Sequence, residues 1–290
     1  MEDRDTILKH LAERKLHGCE RTFANVYLWA RFYNEVWAEI EGTAVFRTGQ
    51  EGAYSYTYPI GAGDRKKVVE MLMEDAKEKG YPFQLHAVSK GEMEELESYF
   101  PGKFNVEWPR DLEDYVYETE KLINLSGKKY HGKKNHLNQF KAAYPDWKYE
   151  TITDENVEEC FQMALSWRNH NGCEDDPEKN QEMCVALNSL RLFKELHLKG
   201  GLLRVNGKVV AYTLGEPVSD DTFVVHIEKA YADIRGAYTM INQQFLEHEV
   251  KDYTYVNREE DTGDEGLRTA KLSYRPVFMV EKGIVTLKGE

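Results

Sequence analysis

The stretch Phe223-Val224-Val225-His226-Ile227-Glu228, followed by Asp233-Ile234-Arg235-Gly236-Ala237 and then by apolar residues at helical spacing from Tyr238 to Glu249, decides how this chain is read. β-Branched and aromatic residues in the first run read as a strand, and the later spacing reads as a helix. A strand that breaks into a helix N-terminus leaves backbone N–H groups without partners, a common seat for anionic ligands. A second strand, Tyr253-Thr254-Tyr255-Val256-Asn257, and the polar loop after it would complete a pocket.

Upstream, Gly201-Leu202-Leu203-Arg204-Val205 and Lys208-Val209-Val210-Ala211-Tyr212 form a predicted hairpin across Asn206-Gly207, the pair that suits positive φ at both turn positions. Trp147 to Thr151 reads as a strand, and 156–168 and 182–198 read as helices. The first half has the same grammar. A helix is expected over 4–15, strands over 36–40, 44–47 and 53–58, a helix opening at Asp64 and stopping at Gly80, a strand over 83–88 and a helix over 91–100. No residue-level repeat links the halves, so the duplication is one of architecture. It predicts an α+β chain of two domains, 1–135 and 136–290, with the boundary inside the Lys128 to Asp146 connection.

Composition narrows the function classes. Over 290 residues, 41% are hydrophobic and 31% charged, enough for two cores under a polar surface. No apolar run approaches the roughly 20 residues that a membrane helix requires, and the acidic start Met1-Glu2-Asp3-Arg4-Asp5 is unlike a signal peptide, so a cytoplasmic protein is expected. Cys19, Cys160, Cys173 and Cys184 have no paired spacing and are read as free thiols. The segment from Trp167 to Asp176 mixes His170, Cys173 and three carboxylates, but without a helical His pair or thiolate pair it is read as a polar loop, and no metal site is expected. A net charge of −13 argues against a broad nucleic-acid footprint. Lys128 to Lys141, with five lysines, two histidines and no acid, is the exception. It is either a solvated face or, through Lys128, Lys129, Lys133 and Lys134, a phosphate-binding surface.

Two segments carry a family resemblance: Leu125-Ser126-Gly127-Lys128-Lys129-Tyr130-His131-Gly132-Lys133-Lys134-Asn135-His136-Leu137-Asn138-Gln139-Phe140, and Asn257-Arg258-Glu259-Glu260-Asp261 through Gly266-Leu267-Arg268-Thr269-Ala270-Lys271-Leu272-Ser273-Tyr274-Arg275-Pro276. They are similar to a bacterial family related to the C-terminal domain of phosphatidylglycerol lysyltransferase. The order of elements from Gly200 to Phe278 resembles the N-acyltransferase fold of the GNAT superfamily. The resemblance runs over most of the chain. It implies two tandem GNAT-like domains, each a mixed, largely antiparallel sheet flanked by helices. As function it implies transfer of an acyl or aminoacyl group, in some members from aminoacyl-tRNA, to an amine or hydroxyl. The alternative is a non-catalytic module of the same fold that binds an amino-acid-like or phosphorylated ligand. The lysyltransferases carry a membrane-spanning flippase that this sequence lacks, so a lipid acceptor is not expected.

GNAT enzymes hold CoA pyrophosphate in a loop patterned R/Q-x-x-G-x-G/A. Aligning on Gly236 places Asp233 where a basic or amide residue belongs and Tyr238 where a small one belongs, so acyl-CoA is not expected as a cofactor. Asp233 is read instead as the helix N-cap, and Arg235 as a guanidinium able to reach a carboxylate or phosphate. His226 and Glu228, two apart on one strand, would share a side and could serve as general base and orienter, or be a satisfied core histidine and a structural ion pair. Asn257, Glu259 and Asp261 follow the next strand and suit an ammonium, or else form a capping loop. By resemblance alone, Tyr274 falls where GNAT enzymes protonate a leaving group, and Lys271 where related transferases face the aminoacyl-tRNA end. Together Glu228, Glu259, Lys271 and Arg235 are expected to hold a small zwitterion.

Overall fold

The computed structural model describes residues 1–13, 16–173 and 176–289. By internal contacts the chain forms two compact units, Met1–Tyr115 with Glu260–Arg268 and Met279–Glu290, and Val116–Glu259 with Thr269–Phe278. The division differs from the single boundary expected after residue 135. Residues 116–135 belong with the second unit, and the C-terminal strand returns to the first. Local periodicity names a strand but not the sheet it joins, so this interleaving leaves no mark on the sequence pattern.

In the first unit the sheet order is β1 (Val36–Ile40), β2 (Thr43–Gln50), β3 (Ala53–Thr57), β5 (Gln84–Val88), β14 (Gly283–Leu287) and β6 (Phe104–Glu107), with β4 (Ile60–Gly61) on β2. The β3–β5 pair is parallel and the other pairs are antiparallel. Helix α1 spans Arg4–Leu11, α2 Phe23–Tyr33, α3 Arg65–Lys79 and α4 Lys90–Tyr99. Asp64 caps α3 by accepting from the Lys67 N–H at 3.0 Å, and Gly80, at φ 74°, ends it. Val68, Val69, Leu72 and Ala76 bury its apolar stripe against Tyr56, Phe83, Leu85 and Phe104. Helix α2 was not expected: its eleven residues include five aromatic rings that show no clean stripe.

The second sheet, all in the second unit except 114–115 and 279–280, has the order β13 (Phe278–Val280), β7 (Asp114–Glu118), β12 (Tyr255–Asn257), β11 (Thr222–Ala230), β10 (Lys208–Pro217), β9 (Lys199–Val205) and β8 (Lys148–Thr151). The hairpin β9–β10 turns at Asn206 and Gly207, with φ of 48° and 77°, as expected. The helices are α5 (Thr119–Asn124), α6 (His131–Ala143), α7 (Val157–His170), α8 (Pro177–Arg191), α9 (Ala237–Phe245) and α10 (Glu265–Leu272, whose residues up to Arg268 belong to the first unit). Helix α8 starts and stops earlier than the 182–198 expected, because Asp176 caps it by accepting from the N–H groups of Glu178 and Lys179. Both sheets are mixed, largely antiparallel and flanked by helices, the α+β architecture implied by the sequence.

One local departure positions everything that follows. Strands β11 and β12 run parallel but pair over only three residues, Thr222↔Tyr255, Phe223↔Val256 and Val224↔Asn257. Beyond Val224, β11 continues to Ala230 alongside β10 while β12 has ended. At the same level the register to β10 jumps from Ile227↔Leu214 to Val225↔Gly215, leaving His226 as the extra residue of a bulge. Gly215 is required opposite it, since a Cβ there would lie 2.1 Å from the Val224 carbonyl oxygen.

Candidate functional site

The parting of β11 from β12 sets Glu228, on β11, against Arg258, the residue after β12. Arg258 Nη2 donates to Glu228 Oε1 at 2.8 Å, and Asn242 Nδ2 of α9 donates to Oε2 at 3.2 Å. The guanidinium lies 4.9 Å from the centroid of the Tyr274 ring. Its Nη1 is buried and has no hydrogen-bond partner among the described residues. Lys133 of α6 places Nζ 3.8 Å from the centroid of the same ring. Burial, then the Arg258 charge, pulls the Lys133 ammonium down to about 8, with Glu228 favouring the charged form. The Tyr274 phenol is buried, which pushes its pKa up and keeps it a proton donor, and its OH lies 3.4 Å from Thr239 Oγ1.

Two cations lie near one ring, one of them pairs with Glu228, and an N–H is left over. The complement of such an arrangement is an anion or a carbonyl oxygen gaining negative charge. The positive field continues outward: burial, then Lys133 and Arg235, lowers the His136 pKa, and Arg235 itself is exposed.

His226 does not join Glu228. Its Nδ1 pairs with Glu259 Oε1 at 2.7 Å and its Nε2 with Glu216 Oε1 at 3.1 Å. Burial disfavours the imidazolium, but the two carboxylates outweigh it and hold the pKa at about 10. A ring that keeps both protons is no general base at neutral pH. His226 and Glu228 are not brought to one partner, because strand alternation does not carry across the bulge at His226.

Other expected positions are occupied by the fold. Lys271 Nζ donates to the carbonyls of Arg258 (2.7 Å) and Glu259 (3.1 Å), holding a loop in which Glu259 has φ 57°. Asn257 is fully buried and its Oδ1 accepts from the Glu259 N–H at 2.6 Å. Asp261 belongs to the first unit, where Arg268 grips it at 2.8 and 2.9 Å and the Tyr115 hydroxyl donates to it. The Arg268 hydrogen bond holds Asp261 well below the usual carboxylate range. Of the residues expected to hold a zwitterion, Lys271 and Glu259 thus have partners within the chain.

Helix α9 begins at Ala237 with Gly236 as its N-cap at φ 85°, so Asp233 is not the cap. A Cβ on Gly236 would lie 2.6 Å from the His136 carbonyl oxygen and 3.1 Å from Phe140 Cβ, so this glycine lets α6 and α9 approach. The Ala237 N–H donates to the Ile234 carbonyl at 3.0 Å. Of the four lysines expected to bind phosphate, Lys128, Lys129 and Lys134 are exposed, and Lys133 alone turns inward over Tyr274.

In the first unit, ligand atoms of Cys19, Asp114 and Glu260 all lie within 4.8 Å of one another, a spacing that would suit a metal ion. Lys282 Nζ stands among them, 2.6 Å from Asp114, 3.0 Å from Glu260, 3.4 Å from Cys19 Sγ and 2.5 Å from Glu20. That ammonium stands where a metal ion would, and burial pushes the Asp114 carboxyl well above the usual carboxylate range. Burial, then Asp114, pushes the Cys19 thiol up, so it is a poor thiolate ligand. Glu174 and Asp175, in the loop with His170 and Cys173, lie outside the described residues.

Arg258 is the residue that sequence reasoning missed. It was visible only as part of a family-like segment, and its role depends on where β12 stops pairing.

The family description "phosphatidylglycerol lysyltransferase, C-terminal" matches residues 11–285. A conserved protein of unknown function from Bacteroides thetaiotaomicron is 39% identical, with 99% of this chain and 97% of that one covered and a TM-score of 0.93. The structure of L-PGS from Bacillus licheniformis is 14% identical, with 92% of each chain covered and a TM-score of 0.62. FemX is 10% identical, over 99% of this chain and 95% of that one, with a TM-score of 0.54. The last two likenesses are of fold. An uncharacterized protein of Mycoplasmoides gallisepticum is 26% identical over 175 residues, and the match covers 59% of this chain and 55% of that protein, so the chain matches about half the length of this curated relative. Among the described residues no helix is long and apolar enough to cross a membrane.

Proposed function

The chain belongs to the phosphatidylglycerol lysyltransferase C-terminal family, and from that premise we propose that it is an acyltransferase of the aminoacyl-transfer type whose reacting groups meet where β11 parts from β12. The observation that carries this reading is the buried Nη1 of Arg258, without a hydrogen-bond partner among the described residues, beside Glu228. An aminoacyl ester, in this reading that of an aminoacyl-tRNA, would set its carbonyl oxygen or a neighbouring phosphate against Arg258 Nη1 and Lys133. The acceptor amine or hydroxyl attacks the ester carbon and gives its proton to Glu228. The carbon–oxygen bond of the ester breaks, and the leaving oxygen takes the proton of Tyr274. Acyl-CoA has no part in this scheme, a view supported by the close packing of α6 on the N-terminus of α9.

Purified protein incubated with a mixed pool of labelled aminoacyl-tRNAs and a panel of small amines and alcohols is expected to transfer label. Glu228→Gln and Tyr274→Phe are expected to slow transfer by about 100-fold each, the usual scale for one acid–base group. Unchanged rates in both variants would remove these residues from the chemistry.

A second reading, a module that binds without transferring, is favoured by one observation: Glu228 is already ion-paired, with side-chain exposures of 13% for Glu228 and 12% for Arg258. It predicts saturable ligand binding with no turnover in the same assay.

A further inference from the structure

A cavity of about 120 Å³ opens within the first unit between α1, α2 and the start of β1. Phe23, Tyr27, Trp37 and Phe46 line it, with Ile7 and Ala30. Two of its charged side chains each have a buried atom without a partner among the described residues: Glu35 Oε1 and Arg4 Nε. Burial alone raises the Glu35 carboxyl to about 7, with no cation offsetting it. Arg4 is loosely held: its Nη1 reaches Asp5 at 3.4 Å, and its guanidinium lies 5.7 Å from the centroid of the Phe23 ring. Asp3, the third charged residue of the wall, accepts the Trp37 indole N–H at 3.2 Å.

An acceptor lacking a donor and a donor lacking an acceptor thus border one aromatic space. Buried polar atoms are nearly always paired, so two such orphans of opposite sign define what is missing. We propose that this cavity binds a small zwitterion, its ammonium at Glu35, its carboxylate at Arg4, and its short apolar stem against the four rings. Aromatic faces add to the attraction for the ammonium. Since a cavity of about 150 Å³ holds benzene, the ligand is limited to roughly six or seven heavy atoms. The site lies apart in sequence from the residues assigned to transfer, and it stands or falls independently of the transfer reading.

The test is calorimetric titration of the whole chain at pH 8 with glycine, β-alanine and 4-aminobutyrate, which differ only in the spacing of the charges. n-Butylamine and butyrate serve as single-charge analogues. One member of the series is expected to bind at least about tenfold more tightly than either analogue, and Glu35→Gln and Arg4→Gln are each expected to cost it about tenfold. Ala30→Phe, which fills the cavity from α2, is expected to abolish binding with no loss of melting temperature. If no member of the series binds more tightly than about 10 mM, or if the two charge variants bind as the native chain does, the proposal is overturned. Binding that survives a folded Ala30→Phe variant overturns it as well.

Discussion

Lys282 is a buried cation and Arg258 a largely buried one, but they differ in how completely they are used. Lys282 has three N–H bonds to give and lies within 3.4 Å of Glu20, Asp114, Glu260 and Cys19, so nothing is left over. Arg258 pairs with Glu228 and lies over Tyr274, yet Nη1 has no hydrogen-bond partner among the described residues. Leaving a buried N–H unmade costs about 1–3 kcal/mol. A saturated ion has done its work when the chain folds, whereas an unsaturated one has capacity for something that arrives later. The contrast teaches that charge and burial alone do not mark a site; the unmade bond does.

The largest effect should come from breaking the saturated cluster. Lys282→Met leaves Asp114 and Glu260 buried without their cation and is expected to destabilise the chain by about 3–5 kcal/mol, read as a fall in the denaturation midpoint. Transfer per folded molecule should be unchanged. A variant that unfolds normally but loses transfer would reverse the assignment.

Next in size is the pH response of His226. Its folded pKa of about 10 lies above the ordinary 6.5, so its contribution is fully present below about 6.5 and is lost as pH rises through 10. Between pH 6.5 and 9 that shift corresponds to at most about 3 kcal/mol. His226→Gln should flatten this part of the stability–pH curve, and an unchanged slope would mean that Glu216 and Glu259 do not hold the ring charged. Transfer should show no limb near 6.5 that His226 substitution removes.

The smallest effect sharpens the open end of the comparison. Lys133, at about 8, should lose its proton between pH 7 and 9, and inorganic phosphate affinity should fall by about tenfold over that range. Lys133→Met should bind phosphate weakly and without this pH dependence. A steep dependence that survives the substitution would place the anion elsewhere.

These contrasts show what the sequence can and cannot express. The Asn206-Gly207 hairpin was legible because its turn geometry is decided by two adjacent residues. The helix from Arg65 to Lys79 was legible because stripe, cap and stop are all local. Asp233 was misread as a cap because a local preference was weighed without the long-range approach of α6, which requires glycine at position 236. Glu228 could be chosen from its strand, but its partner could not: Arg258 matters because β12 ends at Asn257 while β11 runs on, a fact of register. The bulge that separates His226 from Glu228 is likewise set by β10, not by the residues around His226.

The central claim is that the unpartnered nitrogen of Arg258 serves aminoacyl transfer. It is tested most directly by Arg258→Lys, which keeps a cation beside Glu228 but removes the second nitrogen of the planar guanidinium fork, assayed for label transferred from the aminoacyl-tRNA pool alongside the native chain. The account predicts that transfer falls about 100-fold, equivalent to about 2.7 kcal/mol, while the melting temperature stays within a few degrees. Native-level transfer by a folded Arg258→Lys variant, or no transfer by the native chain from any aminoacyl-tRNA, would contradict it.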